Sequence, residues 1–220
     1  MASGDGNAIP TVLLVGAVAP GAAFIVSTSY DFSKDRIAAN ERARLLASLT
    51  SVLDPALRER DLGTVRLSVT DPALLGDEEP VDVFVALDGT TPVATIFASV
   101  APHGYNAPIR LLIGVDPAGA VTGVRAAGHR ETPGLGDRIE IEKSNWILQF
   151  DGRSLATTAL ETWGVNEQEG GAFDALSGAT VTSRAVVTAV RDTLLYFEQH
   201  RDELFAAAGQ QPQTNDAATE

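Results

Sequence analysis

The chain contains no cysteine. That removes protein-ligated iron–sulfur clusters, thiolate zinc sites, disulfides and thiol nucleophiles together. It leaves the compartment open, since a zero count suits either side of a membrane. Histidine is scarce too: His103, His129 and His200 stand far apart, so no metal site is assigned. Basic residues number 16 against 29 acidic ones, for a net charge of −13. No Lys/Arg cluster breaks that balance, so nucleic acid is excluded as a partner, because phosphate binding needs the opposite sign. No Ser-His-Asp set, carboxylate pair of defined geometry or P-loop is present, and no catalytic residue is assigned.

What the chain does have begins at its N-terminus. Residues 8–30 carry no charge and include Val12-Leu13-Leu14-Val15 and Phe24-Ile25-Val26. At about 1.5 Å per residue such a helix crosses a hydrocarbon core of about 30 Å. Pro10 falls near its start, where proline is tolerated, and Pro20 kinks its middle. A cleaved signal peptide needs a basic leader, yet residues 1–7 hold only Asp5 and the amino terminus. A buried soluble helix is the other reading, and a retained single-span membrane anchor is the one adopted. Lys34, Arg36, Arg42 and Arg44 follow the span and no basic residue precedes it, so the positive-inside rule places the C-terminal domain in the cytoplasm.

Beyond the anchor, 31–80 reads as a connecting helix and loop. Ile37, Leu45, Leu46 and Leu49 give a helix over 34–53, ended by Asp54-Pro55. From 81 the pattern turns to alternation. Strands are predicted over 81–87, 93–100, 109–116 and 121–126, with turns at Asp88-Gly89 and Pro117-Ala118-Gly119. Helices are predicted near 145–150 and over 183–200, where Val186, Val190, Leu194 and Phe197 recur at helical spacing. The fold class is therefore α+β: a single N-terminal transmembrane helix, then a domain over 81–205 with helices packed on an antiparallel sheet. Residues 206–220, rich in Ala, Gln, Thr and Asn, read as a disordered tail.

Asp174-Ala175-Leu176-Ser177-Gly178-Ala179-Thr180, followed by Val181-Thr182-Ser183-Arg184, places hydroxyls and a glycine at the start of that last helix. Backbone N–H groups point outward there and the dipole favours an anion, for which a phosphate is suited. The bland reading is an ordinary helix cap. Upstream stands His129-Arg130-Glu131-Thr132-Pro133-Gly134-Leu135-Gly136, then Lys143-Ser144-Asn145-Trp146 and Gln149-Phe150, with Gly104-Tyr105 and Pro108-Ile109 before it. Together these resemble the FMN-binding subunits of the Rnf and Na⁺-translocating NADH:quinone reductase complexes, over roughly residues 81–200. The compact length favours the G subunits of Rnf-type complexes over the C subunits of the quinone reductase. A flavin-free, membrane-anchored structural or assembly module is the reading from a different class.

The resemblance implies FMN attached through its phosphate to Thr180. Ser177, Gly178 and Ala179 would surround the linkage, with the Thr182 and Ser183 hydroxyls solvating phosphate oxygens. Asp174 would belong to the signal read by a separate FMN transferase. Glu131, Thr132, Gly134 and Leu135 would form the facing wall, Leu135 covering the ring. Glu131 either accepts from the ribityl hydroxyls or braces the loop. His129, Trp146 and Trp163 read as structural, while Tyr105 can approach a flavin or a partner. The implied role is an electron carrier among membrane, Fe–S and flavin subunits, in contact with membrane lipid. The implied location is the periplasmic face of a bacterial inner membrane, opposite to the charge rule.

Overall fold

Alternating apolar residues from Val81 onward fold into a sheet one strand wider than the sequence predicts. A computed structural model describes residues 46–165 and 170–210. Its strands are β1 (Gly63–Val69), β2 (Val81–Asp88), β3 (Thr91–Ala101), β4 (Ile109–Val115) and β5 (Val121–Gly128). They form one antiparallel sheet in chain order. Short turns at Asp88–Thr91 and around Gly119 set that order, as two-strand hairpins do.

Strands β2 to β5 occupy the predicted segments. β1 is a correction, because Gly63–Val69 lies inside the stretch assigned to a connecting helix and loop. It pairs along β2 from Gly63↔Leu87 to Val69↔Val81. Only Val65 and Leu67 of its side chains are buried, with Thr64, Arg66 and Ser68 between them. Two apolar positions in an edge strand give too short an alternation to read. Arg66 fastens the strand by two hydrogen bonds of 2.8 Å to the Asp82 carboxylate across the ladder.

The sheet is covered on both faces, which is why its central strands read as nearly continuous apolar runs. On one face, Phe84, Ala86, Ala94, Ile96 and Leu112 pack with Leu49, Val52 and Leu53. Gly114 and Gly123 admit the Val52 backbone. A Cβ on Gly114 would stand 2.4 Å from the Val52 carbonyl oxygen, which the Thr122 hydroxyl already meets at 2.6 Å. The helix predicted over 34–53 is described only at 46–51, where it is helical.

The opposite face carries Val83, Val85, Phe97, Leu111 and Ile113 against the long helix α2 (Thr180–Gln210). A short helix α1 (Pro72–Leu75), capped by the Asp71 carboxylate, precedes it. Helix α2 (Thr180–Gln210) contributes Val186, Val190, Leu194 and Phe197 to the core. Phe97 meets Tyr196 and Phe197 edge-on, at centroid distances of 6.0 and 6.2 Å. Beneath them the Ser99 and Thr193 hydroxyls share a buried bond of 2.8 Å.

Helix α2 is longer than predicted at both ends. Its last turns correct the reading of 206–220 as tail up to Gln210: Leu204 and Ala208 are buried in the core, and alanine is the best helix former. The helix predicted at 145–150 is a 3₁₀ helix (Asn145–Phe150), one of three among the described residues with Gly136–Ile139 and Leu160–Thr162. Trp163 is a core residue, packed on Phe173 at 4.8 Å. Among the described residues, no helix is long and apolar enough to cross a membrane. The predicted span at 8–30 lies outside the described residues, as do 1–7, 31–45 and 211–220.

The Phe97 side chain is the keystone between sheet and helix, fully buried against two rings. Phe97→Ala is expected to cost about 3–5 kcal/mol. Urea unfolding of the full chain should show a lowered midpoint at unchanged slope.

Candidate functional site

The site begins with a turn that aims the first residue of α2. The Ala179 N–H donates to the Leu176 carbonyl at 2.9 Å, and Gly178 takes φ 79°, a left-handed conformation that favours glycine. Buried Ser183 then clamps the turn. Its hydroxyl accepts from the Leu176 N–H at 2.9 Å and donates to the Ala179 carbonyl at 3.0 Å. Thr180 opens the helix. Among the described residues, the N–H groups of Thr180, Val181 and Thr182 have no backbone acceptor. They are the orphan donors of a helix N-terminus.

A second segment closes over this one. The N–H groups of Leu135, Gly136 and Asp137 converge on the Thr132 carbonyl at 3.1, 3.1 and 3.3 Å, curling the 131–137 loop back on itself. Gly136 is required by contact. A Cβ there would lie 2.9 Å from Glu131 Oε2 and 3.0 Å from the Thr182 hydroxyl.

Glu131 is the joint between the parts. It is 4% exposed, and both carboxylate oxygens are engaged. Oε2 accepts from the Thr182 hydroxyl on α2, and Oε1 accepts from the Asn106 N–H at 3.1 Å. Of the two roles left open for Glu131, the observed bonds are those of a brace. Asn106 adds two more ties through its side-chain amide, to the Arg130 carbonyl at 3.0 Å and the Thr132 hydroxyl at 3.2 Å. Because the Thr132 hydroxyl accepts there, its own proton is free to donate into the cleft. Asn106 stands with Ala107 where a small residue such as glycine is expected in this loop, but no bonding role for it was legible in the sequence.

The resulting cleft has a volume of about 500 Å³. Glu131, Thr132 and Leu135 form one wall, Gly178 to Thr182 the other, and Tyr105 stands at the rim. The four nearby hydroxyls, equivalent in sequence, are sorted by the fold. Thr182 and Ser183 are buried, and their hydroxyl protons go to the Glu131 carboxylate and the Ala179 carbonyl. Ser177 is exposed but outside the lining. Thr180 alone is exposed, lines the cleft and has no hydrogen-bond partner among the described residues. Gly134 shapes the loop at φ 78° without lining the cleft.

Asp174 also stands outside the cleft, displayed to solvent. Its backbone is held on both sides, the N–H donating to Gln149 Oε1 at 2.8 Å and the carbonyl accepting from Trp146 Nε1 at 2.7 Å. Trp146 therefore serves this segment as well as packing against the core.

Behind the loop lies a charged relay. His129 Nδ1 accepts from the Glu131 N–H at 3.1 Å, so Nε2 carries the proton that reaches Glu140 at 2.8 Å. Lys143 bridges Glu140 at 2.7 Å and Asp137 at 2.9 Å. The Lys143 ammonium holds both carboxyl groups below their usual range, against the opposing effect of burial. Glu140 and Asp137 in turn raise Lys143. The carboxylates' contribution to stability is complete above the ordinary value near 4 and is lost as pH falls through their lowered values. The Lys143 contribution is present below its ordinary value and is lost as pH rises through the raised one. In Lys143→Met, the urea midpoint should therefore fall less between about pH 6 and about pH 3 than in the parent chain. An unchanged acid limb would contradict the relay.

Comparison with known proteins bears on this geometry. A model of the FMN-binding domain family matches residues 104–195, which hold the Asn106 loop, the Glu131 loop and the first half of α2. The chain is also similar to several ion-translocating oxidoreductase complex G subunits. That of Shewanella amazonensis is 42% identical over 173 residues, covering 79% of this chain and 80% of that protein. That of Pseudomonas aeruginosa is 40% identical over 194 residues, 88% of this chain and 90% of the other. That of Vibrio parahaemolyticus is 36% identical over 182 residues, with 83% and 85% covered. By this similarity over most of its length, the chain belongs to the family of ion-translocating oxidoreductase complex G subunits.

Proposed function

We propose that the chain is the membrane-anchored flavin subunit of an Rnf-type ferredoxin:NAD⁺ oxidoreductase complex, carrying FMN on Thr180 through a phosphoester. One observation carries the reading: among the described residues, Thr180 carries the one aliphatic hydroxyl that lines the cleft without a hydrogen-bond partner, at a helix N-terminus whose first three N–H groups have no backbone acceptor. The names of the relatives favour the Rnf-type complex over the quinone reductase. A free Thr180 over an open cleft argues against a flavin-free module.

The cleft fits the cofactor in size and in chemistry. Orphan N–H groups of the first turn of α2 suit phosphate oxygens. Gly178 keeps the approach to Thr180 open, since a Cβ there would come 3.1 Å from Leu135. The Thr132 hydroxyl can donate to the ribityl chain or phosphate, and Leu135 and Tyr105 can flank a planar ring. When bound, FMN supplies the electron transfer, while the protein holds it in place and shapes its surroundings. Ester formation joins the Thr180 oxygen to phosphorus with net loss of water. A separate transferase would make that bond, reading a surface on which the Asp174 carboxylate is displayed.

The remaining proposals rest on the sequence. Residues 8–30 anchor the chain in the bacterial inner membrane, and the flavin domain faces the periplasm as the family resemblance implies. Neighbouring Fe–S and flavin subunits would supply and take up its electrons.

Thr180→Val removes the acceptor hydroxyl at an exposed position. Produced beside the FMN transferase, the variant should keep its unfolding midpoint and lose all flavin fluorescence from the denatured band. Flavin retained on the variant would overturn the assignment.

A further inference from the structure

A second cavity, of about 430 Å³, adjoins the cleft, and Val181 lines both. Its walls are α1, the end of β3 with the turn that follows it, and one face of α2 from Val181 to Asp192. The flavin reading makes no use of it.

The walls are apolar and firmly seated. Pro72 and Pro102 have no N–H to satisfy, so they face a non-polar guest without penalty. A Cβ on Gly76 would collide with the Val100 carbonyl oxygen, so α1 rests directly on the end of β3. From α2 come Ala185 and Ala189, both buried and both small enough to leave the space open.

Three polar side chains open onto this apolar space: His103 from the turn after β3, and Arg184 and Thr188 from α2. Among the described residues, none of the three has a hydrogen-bond or ion-pair partner. Asp192 also lines the cavity, but its carboxylate accepts from Arg191 Nε at 2.8 Å. The Asp71 carboxylate caps α1, and Asp77, Glu78 and Glu79 stand outside the lining. The unanswered charge of the cavity is therefore the Arg184 guanidinium.

We infer that this cavity is a binding site for a small carboxylic acid with an apolar body, either a ring or a short chain. The guanidinium receives the carboxylate through paired N–H donors. The Thr188 hydroxyl and an imidazole N–H of His103 are the further donors available to it. The body lies against the prolines, Val100 and the two alanines. An apolar pocket with a few convergent polar groups is the usual form of a small-molecule site. One fixed charge matches a carboxylate, whereas a phosphate monoester carries about two. A chain of net charge −13 has no general attraction for anions, so an acid that binds does so at a particular site. The inference is independent of the flavin reading.

The full chain, in a non-ionic detergent, is titrated into 6-fluoro-2-naphthoate, and binding is followed by the fluorine resonance of the probe. Binding should be saturable. It should weaken by about tenfold or more in Arg184→Gln, since a hydrogen bond to a charged group is lost. Ala73→Phe, at an exposed lining position on α1, should block the cavity by shape. Both variants should keep the parent's urea midpoint. The uncharged 6-fluoro-2-naphthylmethanol should bind about tenfold more weakly than the acid. No saturable binding to the parent, equal binding of the alcohol, or unchanged affinity in Arg184→Gln overturns the inference.

Because Val181 is shared, the same titration is run on the flavin-loaded chain and on Thr180→Val. Equal binding places the probe outside the cleft, as the inference requires. Binding that flavin abolishes puts the probe in the cleft, which overturns the inference and leaves the flavin reading standing. A parent chain that takes up no flavin sinks the flavin reading alone, since Arg184→Gln and Ala73→Phe still decide the cavity. Octanoate as competitor then tells the sources apart: displacement extends the site to chain acids, and failure to displace confines it to aromatic ones.

Discussion

The hydrogen bond from the Thr182 hydroxyl to the Glu131 carboxylate is the contact on which the cleft depends. It joins two segments 51 residues apart in sequence, and it is buried, so breaking it leaves a polar group without water. An orphaned buried group of this kind costs about 1–3 kcal/mol, and more when charged. Because Asn106 holds the other oxygen of the same carboxylate, one side chain fixes the relation of two loops to the first turn of α2. Gly136 follows from this constraint, since nothing larger fits between Glu131 and Thr182.

With the loop fixed, the helix start can remain open. Most helix N-termini are closed by a side-chain cap. Here the residue before the helix is Ala179, and the nearby hydroxyls that could cap are used elsewhere: Ser183 on the turn and Thr182 on Glu131. The three orphan N–H groups and the Thr180 hydroxyl are thus left facing a cleft. A terminus left uncapped gives up some helix stability. The long packed face of α2, with Phe97 wedged against Tyr196 and Phe197, offsets that loss. Packing at one end of the helix permits chemistry at the other.

Much of this was legible in the sequence, and the limits have physical causes. Strands β2 to β5 were readable because long alternating segments with turn residues between them leave little freedom. Strand β1 was not, since an edge strand with two buried side chains resembles a polar loop. The core of α2 showed its period, whereas the alanine-rich turn after Leu204 has the composition of a tail and is held in the helix by burial that composition does not reveal. At the cleft, the motifs picked out the two segments that line it but could not rank their hydroxyls. Thr180, Thr182 and Ser183 are chemically alike in the chain, and only their position around the helix decides which is buried. The bracing role of Asn106 was illegible for the same reason: its bonding groups matter through what the fold places beside them.

The central claim is a covalent flavin on one threonine. It is tested most directly by the intact mass of the full chain, extracted and denatured after production beside the FMN transferase, followed by peptide mapping. The account predicts a gain of one FMN less one water, located on the peptide that contains Thr180. An unmodified mass under those conditions, or the flavin on a different residue, would contradict it.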